Sequence, residues 1–196
     1  MNRKYTPLIA IALLTAGCHP ARDESPSVPS QSLNEGAARA KGAAISGDLM
    51  ETLKAQLIGA LSSNDPAQAV AVCRNVAVPT TDAAAVHERG IHVRRTTMKP
   101  RNPANAPDEL DRRVLEAFAT ANPPPADRVE PVDDGGYRYY RPLVIAELCL
   151  KCHGDPATFP PALVETLQRL YPQDQATGYA LGDFRGVICV EFSPRP

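Results

Sequence analysis

Apolar residues between Leu33 and Leu61 recur at the spacing of an α-helix. Four leucines fall on one face of such a helix, at Leu49, Leu53, Leu57 and Leu61. Because 3.6 residues make one helical turn, this four-residue interval predicts a single long helix, and a break near Gly47 is left open.

A second helix is predicted shortly after the first. Asp65 can cap its first turn, Pro66 suits the first helical position, and Gln68 completes a capping box. We expect this helix to run to about Val78. Cys73 falls on its apolar face, so its thiol is expected to point inward.

Alternation of apolar and polar residues, with many β-branched and aromatic side chains, predicts four strands. They are Ile91–Thr97, Arg128–Val132, Tyr137–Ile145 and Gly186–Phe192. The second and third strands flank the turn sequence Asp133-Asp134-Gly135-Gly136, which is typical of a hairpin.

Three further helices complete the predicted elements. They are a short one near Asp82–Glu88, a longer one at Asp108–Ala121 and a last one at Pro161–Tyr171. Three prolines between Lys99 and Pro107 argue against regular structure there. The fold class is therefore α+β, with helices packed on a small antiparallel sheet in a single domain.

Composition narrows the class of protein. The chain has 196 residues, of which 43% are hydrophobic and 22% charged, and these values fit one globular domain. The formal net charge of −1 gives no basic footprint for nucleic acid. We therefore expect no nucleic-acid partner.

The first residues resemble a bacterial export signal that ends in a lipobox. Arg3 and Lys4 precede an apolar run at residues 8–14, which is too short to span a membrane, and no later stretch is long and apolar enough to do so. The run leads into Leu-Thr-Ala-Gly-Cys, and its Cys18 is expected to become a lipidated N-terminus. The alternative is an ordinary secretory signal with an incidental cysteine.

The domain organisation follows from this leader. Residues 1–17 are predicted to be a lipoprotein signal peptide, and residues 18–32, rich in proline, serine and charge, a flexible tether. Residues 33–196 form the folded domain. The predicted location is the periplasmic face of a bacterial membrane, contacted through the N-terminal lipid.

Cys149-Leu150-Lys151-Cys152-His153 has the C-x-x-C-H spacing of c-type haem attachment. In this motif two thioethers hold the porphyrin, and the adjacent histidine binds iron. A zinc half-site would need a second ligand pair at metal spacing, a thioredoxin-like pair would not require the histidine, and a structural disulfide is the third alternative. The motif therefore predicts one covalent haem c on Cys149 and Cys152, with His153 on the iron.

The sixth iron ligand stays open on the residues alone. The candidates are Cys73, Met98, His87 and His92. After lipidation and haem attachment Cys73 and Cys189 remain, and in an oxidising compartment they can also pair as a disulfide.

Five stretches of the chain, taken in order, resemble one known family. They are AVAVC, VRRTTMKPRNPAN, the haem motif with Gly154, YPQDQATGY and GDFRG, at residues 69–73, 93–105, 149–154, 171–179 and 182–186. The family is that of c-type haem-binding domains with a PAS-like fold and His/Cys axial ligation. It occurs both as standalone exported proteins and as the sensing part of histidine kinases.

The resemblance implies a PAS-like fold here, and it implies that Cys73 is the second axial ligand beside His153. Cys189 is then expected to be a buried strand residue. Arg94, Arg95 and Arg101 are expected to contact the haem propionates, because arginine forks suit carboxylates. Three neighbouring residues stay open between a haem contact and a purely structural role: Asn102, Asn105 and Tyr179.

Two functions remain in competition. One is a redox or small-gas sensor that acts through a protein partner, since no output module is evident in the sequence; the other is an electron carrier at the membrane surface. A haem enzyme would need an open iron site with a placed acid or base, and the sequence names none, so we expect no catalysis. The sequence does not predict the oligomeric state, the partner or the reduction potential.

Overall fold

The computed structural model describes Met1 and residues 33–62, 65–84, 90–121 and 123–193. Several sequence predictions therefore lie outside the described residues. These are the signal peptide, the tether, the lipidation site Cys18, the ligand candidate His87 and most of the short helix near residues 82–88.

The described residues form five α-helices and four strands, which confirms the α+β class. In chain order the elements are α1 (Glu35–Leu61), α2 (Pro66–Ala83), β1 (Ile91–Thr96), α3 (Glu109–Thr120), β2 (Arg128–Pro131), β3 (Tyr137–Val144), α4 (Glu147–His153), α5 (Pro161–Leu170) and β4 (Phe184–Phe192). Two short 3₁₀ turns, Pro103–Asn105 and Pro156–Thr158, lie in the connections.

The cap predicted at Asp65 is present at the start of α2. The Asp65 carboxylate accepts hydrogen bonds from the first-turn amides of α2, and α1 is continuous through Gly47. The prediction for the end of α2 was wrong, because the helix passes Pro79 and continues to Ala83. Gln56 of α1 bonds the Thr80 hydroxyl on that last turn, so contact with α1 stabilises the helix beyond the proline.

The sheet is antiparallel throughout, with strand order β1-β4-β3-β2. Strand β4 lies in the middle and pairs with both β1 and β3, while β2 and β3 form the predicted hairpin. Gly186 has φ 149° near the start of β4, and a Cβ there would lie 2.5 Å from the Thr96 carbonyl oxygen. Only glycine fits this approach of β4 to β1.

Both faces of the sheet are covered. Side chains alternate between the two faces along each strand, and one face packs against α1. Gly42 of α1 lies so close to the Tyr139 ring that a Cβ would overlap it. The other face packs on α3, where Phe118, Tyr140 and Cys189 are buried. This α+β arrangement is consistent with a PAS-like fold.

Across the part of the chain that the structure describes, no helix has both the length and the apolar character needed to cross a membrane.

Candidate functional site

A cavity of about 490 Å³ opens between the helices and the loops beside β1, in the size range of small-molecule and cofactor sites. Helices α1 and α2 supply an apolar wall that includes Leu57, Leu61 and Val70. Residues that the sequence singled out line the same cavity: Cys73, Arg95, Arg101, Asn102, Asn105, Cys149, Cys152 and His153. The fold thus brings together Cys73 and His153, which lie 80 positions apart in the chain.

The C-x-x-C-H residues lie on α4, which follows β3 after a two-residue connection. Cys149 and Cys152 are three residues apart on this helix, so both thiols lie on one side of it. The helix ends at Gly154, whose amide donates to the Leu150 carbonyl, and a Cβ at Gly154 would lie 2.6 Å from that oxygen. Both thiols face the cavity as free cysteines.

His153 is held in one tautomer. Its Nδ1 lies 2.6 Å from the Ala176 carbonyl oxygen, which can only accept, so Nδ1 carries the proton and Nε2 keeps its lone pair. Burial lowers the pKa of His153 to about 3, and the charges of Arg101 and Arg185 act in the same direction. The imidazole is therefore neutral and able to ligate a metal through Nε2.

Cys73 is the one candidate for the second axial position that lines the cavity within the described residues. Burial raises the pKa of its thiol, and the nearby charge of Arg95 lowers it. Met98 is 42% exposed and His92 is exposed, and neither lines the cavity.

The alternative disulfide between Cys73 and Cys189 does not form, because both cysteines are free. Cys189 is fully buried in β4 on the face of the sheet that packs against α3, where burial raises the pKa of its thiol to about 12. Cys189 is thus a buried strand residue, as the family resemblance implies.

The cavity wall carries more positive than negative charge. Four arginines line it: Arg74, Arg95, Arg101 and Arg185. Arg101 pairs with Asp174 at 2.9 Å, whereas neither Arg95 nor Arg185 forms a salt bridge with any carboxylate of the described residues. Burial lowers the pKa of both unpaired arginines, and the charge of Arg185 lowers that of Arg95 further. The cavity therefore suits a ligand that brings negative groups.

The structure contradicts the expected propionate contact of Arg94. Side chains alternate along β1, so Arg94 points to the opposite face of the sheet from Arg95. There its guanidinium bonds both carboxylate oxygens of Asp111, a buried residue of α3. Arg94 is thus neutralised within the fold and does not line the cavity.

The two asparagines and Arg101 line the cavity but also bond protein atoms. The Asn102 side chain accepts from the Ala104 amide and so caps the 3₁₀ turn, which favours its structural role. The Asn105 carbonyl accepts from the Thr97 amide and the Thr96 hydroxyl. The donors of Arg101 go to Asp174 and to backbone carbonyls.

Sequence reasoning missed two residues of the site. Arg185 lines the cavity and donates to the Thr97 hydroxyl at 2.8 Å. Tyr171 also lines the cavity, beneath the guanidinium of Arg74 at 5.8 Å. Both residues lie inside stretches that carry the family resemblance, which was the available signal. Tyr179, left open from the sequence, places its ring edge-on to His153 with centroids 6.3 Å apart.

These features together fit a covalently attached haem. One cavity is lined by two thiols at C-x-x-C spacing, a neutral histidine with a bare Nε2 and the thiol of Cys73. Arg95 and Arg185 line it too, and neither pairs with a carboxylate of the described residues. Among the described residues no cluster of three or more His, Cys, Asp or Glu side chains could hold a metal ion. The motif therefore lacks, within that part, the further ligands of a zinc site.

Comparison with known proteins gives two findings. The model of the Tll0287-like family matches residues 30–193. The solved structure described as the cyanobacterial heme-protein Tll0287 is similar with a TM-score of 0.62 at 26% sequence identity, covering 84% of this chain and 98% of that one. No curated protein sequence matches the chain.

Proposed function

The chain belongs to the Tll0287-like family, and on that premise we propose that its cavity holds one haem c, bound through Cys149 and Cys152. His153 and Cys73 are the proposed axial ligands. The observation that carries the proposal is that all four residues line one cavity together with the unpaired Arg95 and Arg185. Two propionates would supply the missing negative charge.

The function that this site supports best is that of a redox or small-gas sensor that acts through a protein partner. A bound haem supplies a one-electron couple and, with an open axial position, a site for diatomic gases. Cys73 would be the ligand most sensitive to a redox change, because a thiolate is held by charge and reduction would remove one positive charge from the iron. Cys73 lies in the middle of α2, which packs on α1 and α5, so loss of that bond would change how α2 packs.

Electron transfer at the membrane surface is the second candidate. Cys73 and Cys149 are only half-buried, so an edge of the bound group would lie near the surface, as an electron carrier requires. In neither candidate does the protein act as an enzyme.

Covalent attachment is tested by haem staining after denaturing electrophoresis. The wild-type chain should retain its stain, and the double variant Cys149→Ala/Cys152→Ala should lose it, since both thioethers are gone. Cys189→Ala is the matched control, because that thiol lies on the other face of the sheet and should leave the stain unchanged. Covalent haem on the double variant would refute the assignment.

The role of Cys73 is tested by electron paramagnetic resonance and by carbon monoxide binding. Ferric wild type should give a low-spin thiolate signal that Cys73→Ala lacks, while Met98→Leu should keep it. Carbon monoxide binding to the reduced wild type supports the sensor, whereas a reduced form that stays closed to the gas supports the carrier. Identical ferric spectra for wild type and Cys73→Ala would remove Cys73 from the site.

We also propose that Cys18 carries the lipid anchor and that the domain works on the periplasmic face of a bacterial membrane. The support is the lipobox-like sequence Leu-Thr-Ala-Gly-Cys and the polar stretch behind it. Mass spectrometry of the mature N-terminus should find an acylated cysteine, and an unmodified mature chain would contradict the anchor.

A further inference from the structure

A ring of hydrogen bonds lies behind His153, on the side of the imidazole away from its Nε2. The Ala176 carbonyl accepts the Nδ1 proton of His153 at 2.6 Å. This carbonyl belongs to the loop between α5 and β4, so the orientation of the imidazole depends on where that loop is held.

Arg101 joins this loop to the haem motif. Its Nη2 donates to the Cys152 carbonyl at 2.5 Å and to the Ala176 carbonyl at 3.3 Å. The first carbonyl immediately precedes His153 in the chain, and the second accepts from the His153 ring. One nitrogen of Arg101 thus fixes both ends of the histidine, its backbone and its imidazole.

Asp174 accepts hydrogen bonds from both Arg101 and the loop, and so fixes one against the other. Its Oδ2 accepts from Arg101 Nε at 2.9 Å, and its Oδ1 accepts from the Ala176 amide at 2.8 Å. The two side chains are only 13% and 11% exposed, and Ala176 is fully buried. These hydrogen bonds therefore lie in a region of low dielectric, where each is electrostatically stronger than it would be in water.

We propose that Arg101, locked by Asp174, is a positioning residue that orients His153 toward the iron, rather than chiefly a contact for the haem propionates. This inference rests on the proposed haem function and assigns a role that the motif alone does not show. Residues behind a metal-binding histidine fix its tautomer and ring orientation, and their loss commonly weakens the site by about 10- to 100-fold.

The geometry distinguishes arginine from lysine at this position. A lysine keeps the positive charge and can still pair with a propionate, but its single nitrogen cannot bond Asp174 and both carbonyls in the arrangement of a planar fork. Arg101→Lys therefore separates positioning from charge. Arg95→Lys is the matched control, because Arg95 lines the same cavity while the bonds to Asp174 and to the Cys152 and Ala176 carbonyls come from Arg101.

The test uses the ferric, haem-carrying protein and follows exchange with water of the hyperfine-shifted Nδ1 proton of His153 by NMR. We expect this exchange to be at least about tenfold faster in Arg101→Lys than in wild type, in line with the usual effect of such residues, and within twofold of wild type in Arg95→Lys. The low-spin electron paramagnetic resonance signal should broaden in Arg101→Lys only.

Exchange within twofold of wild type in Arg101→Lys would overturn the inference and leave Arg101 as a propionate contact. If that variant does not fold, Asp174→Asn decides, because it keeps the acceptor for the Ala176 amide and removes the charge that holds Arg101; unchanged exchange there overturns the inference as well. A wild-type chain without covalent haem would instead refute the proposed function, so the two failures are distinguishable.

Discussion

Arg94 and Arg95 are neighbours in β1, yet they lie in opposite electrostatic surroundings. Arg94 points to the α3 side of the sheet, where its charge is balanced by Asp111. Arg95 points to the cavity, where no carboxylate of the described residues pairs with it. The two faces of one strand therefore serve different purposes.

The α3 face is a closed network. The buried Asp111 accepts hydrogen bonds from Arg94 and from the Tyr140 hydroxyl, and it completes the capping box of α3 with Asp108. Arg138 bonds Asp108 and Glu191 at 2.6 Å each. Each of these charges has a partner within the fold, so this face needs no ligand to be stable.

The cavity face carries positive charge that no carboxylate of the described residues balances. Among the described residues, Asp174 is the carboxylate that forms a salt bridge with an arginine of this cavity, and its partner is Arg101. Half-buried arginines without a counter-charge are costly, and a protein keeps them where a ligand brings the counter-charge. The comparison teaches that an unbalanced face of a sheet points to a binding site, whereas a balanced one points to a structural role.

The largest effect should follow from breaking the balanced face at its centre. Asp111→Ala should lower the free energy of unfolding by about 3–5 kcal/mol, because it removes the main counter-charge of Arg94, leaving Asp108 at 3.4 Å, and the acceptor of the Tyr140 hydroxyl. Urea denaturation measures this, with Glu109→Ala on the exposed side of the same helix as control. A loss below about 1 kcal/mol would show that the network contributes little to stability.

Replacing the two neighbouring arginines should give opposite results. Arg94→Gln should cost about 2 kcal/mol of stability through the uncompensated Asp111 and leave the reduction potential of the haem unchanged. Arg95→Gln should not lower stability, because no carboxylate of the described residues loses its counter-charge and an unpaired, half-buried charge is removed.

The reduction potential of the proposed haem should also distinguish the Arg95 variant from the Arg94 variant. Removing a cation about 10 Å from the reducible group would disfavour the reduced form by about 1.7 kcal/mol at an effective dielectric of 20, so Arg95→Gln should lower the potential by about 70 mV. Potentiometric titration measures this shift. Equal shifts in the Arg94 and Arg95 variants would abolish the distinction between the faces.

A smaller loss of stability than that of Asp111→Ala is expected from removing a single hydroxyl of the balanced face. Tyr140→Phe removes the 3.0 Å bond to Asp111 and should cost about 1–2 kcal/mol, since the acceptor is charged and buried. Thermal unfolding followed by circular dichroism measures it. The haem spectrum of Tyr140→Phe should match that of wild type. Tyr179→Leu is the contrasting variant: it removes the ring beside His153 and should alter the spectrum.

Most of the fold follows from local sequence patterns. The four strands, the hairpin turn and the cap at Asp65 depend on residues close together in the chain, and they lie where the patterns predict. The end of α2 does not, because its last turn is held by Gln56 of α1, a contact that no local rule reveals.

The site was predictable to the extent that it consists of chemically distinctive side chains. The placement of Cys149, Cys152 and His153 in one cavity follows from the motif, and that of Cys73 from the family resemblance. Arg94 was misplaced because residue type was weighed above strand alternation. The role of the Ala176 carbonyl could not be foreseen, since a backbone acceptor leaves no signature in the side chains.

The central position of β4 has a consequence for how the molecule reaches its folded state. It is the last strand in chain order, yet it lies between β1 and β3, and Thr96 pairs with Val187 across it. Contacts so distant in sequence form late, because a long loop must close first. Synthesis of α4 therefore precedes synthesis of the strand that completes the sheet, so Cys149 and Cys152 are made before the core can close.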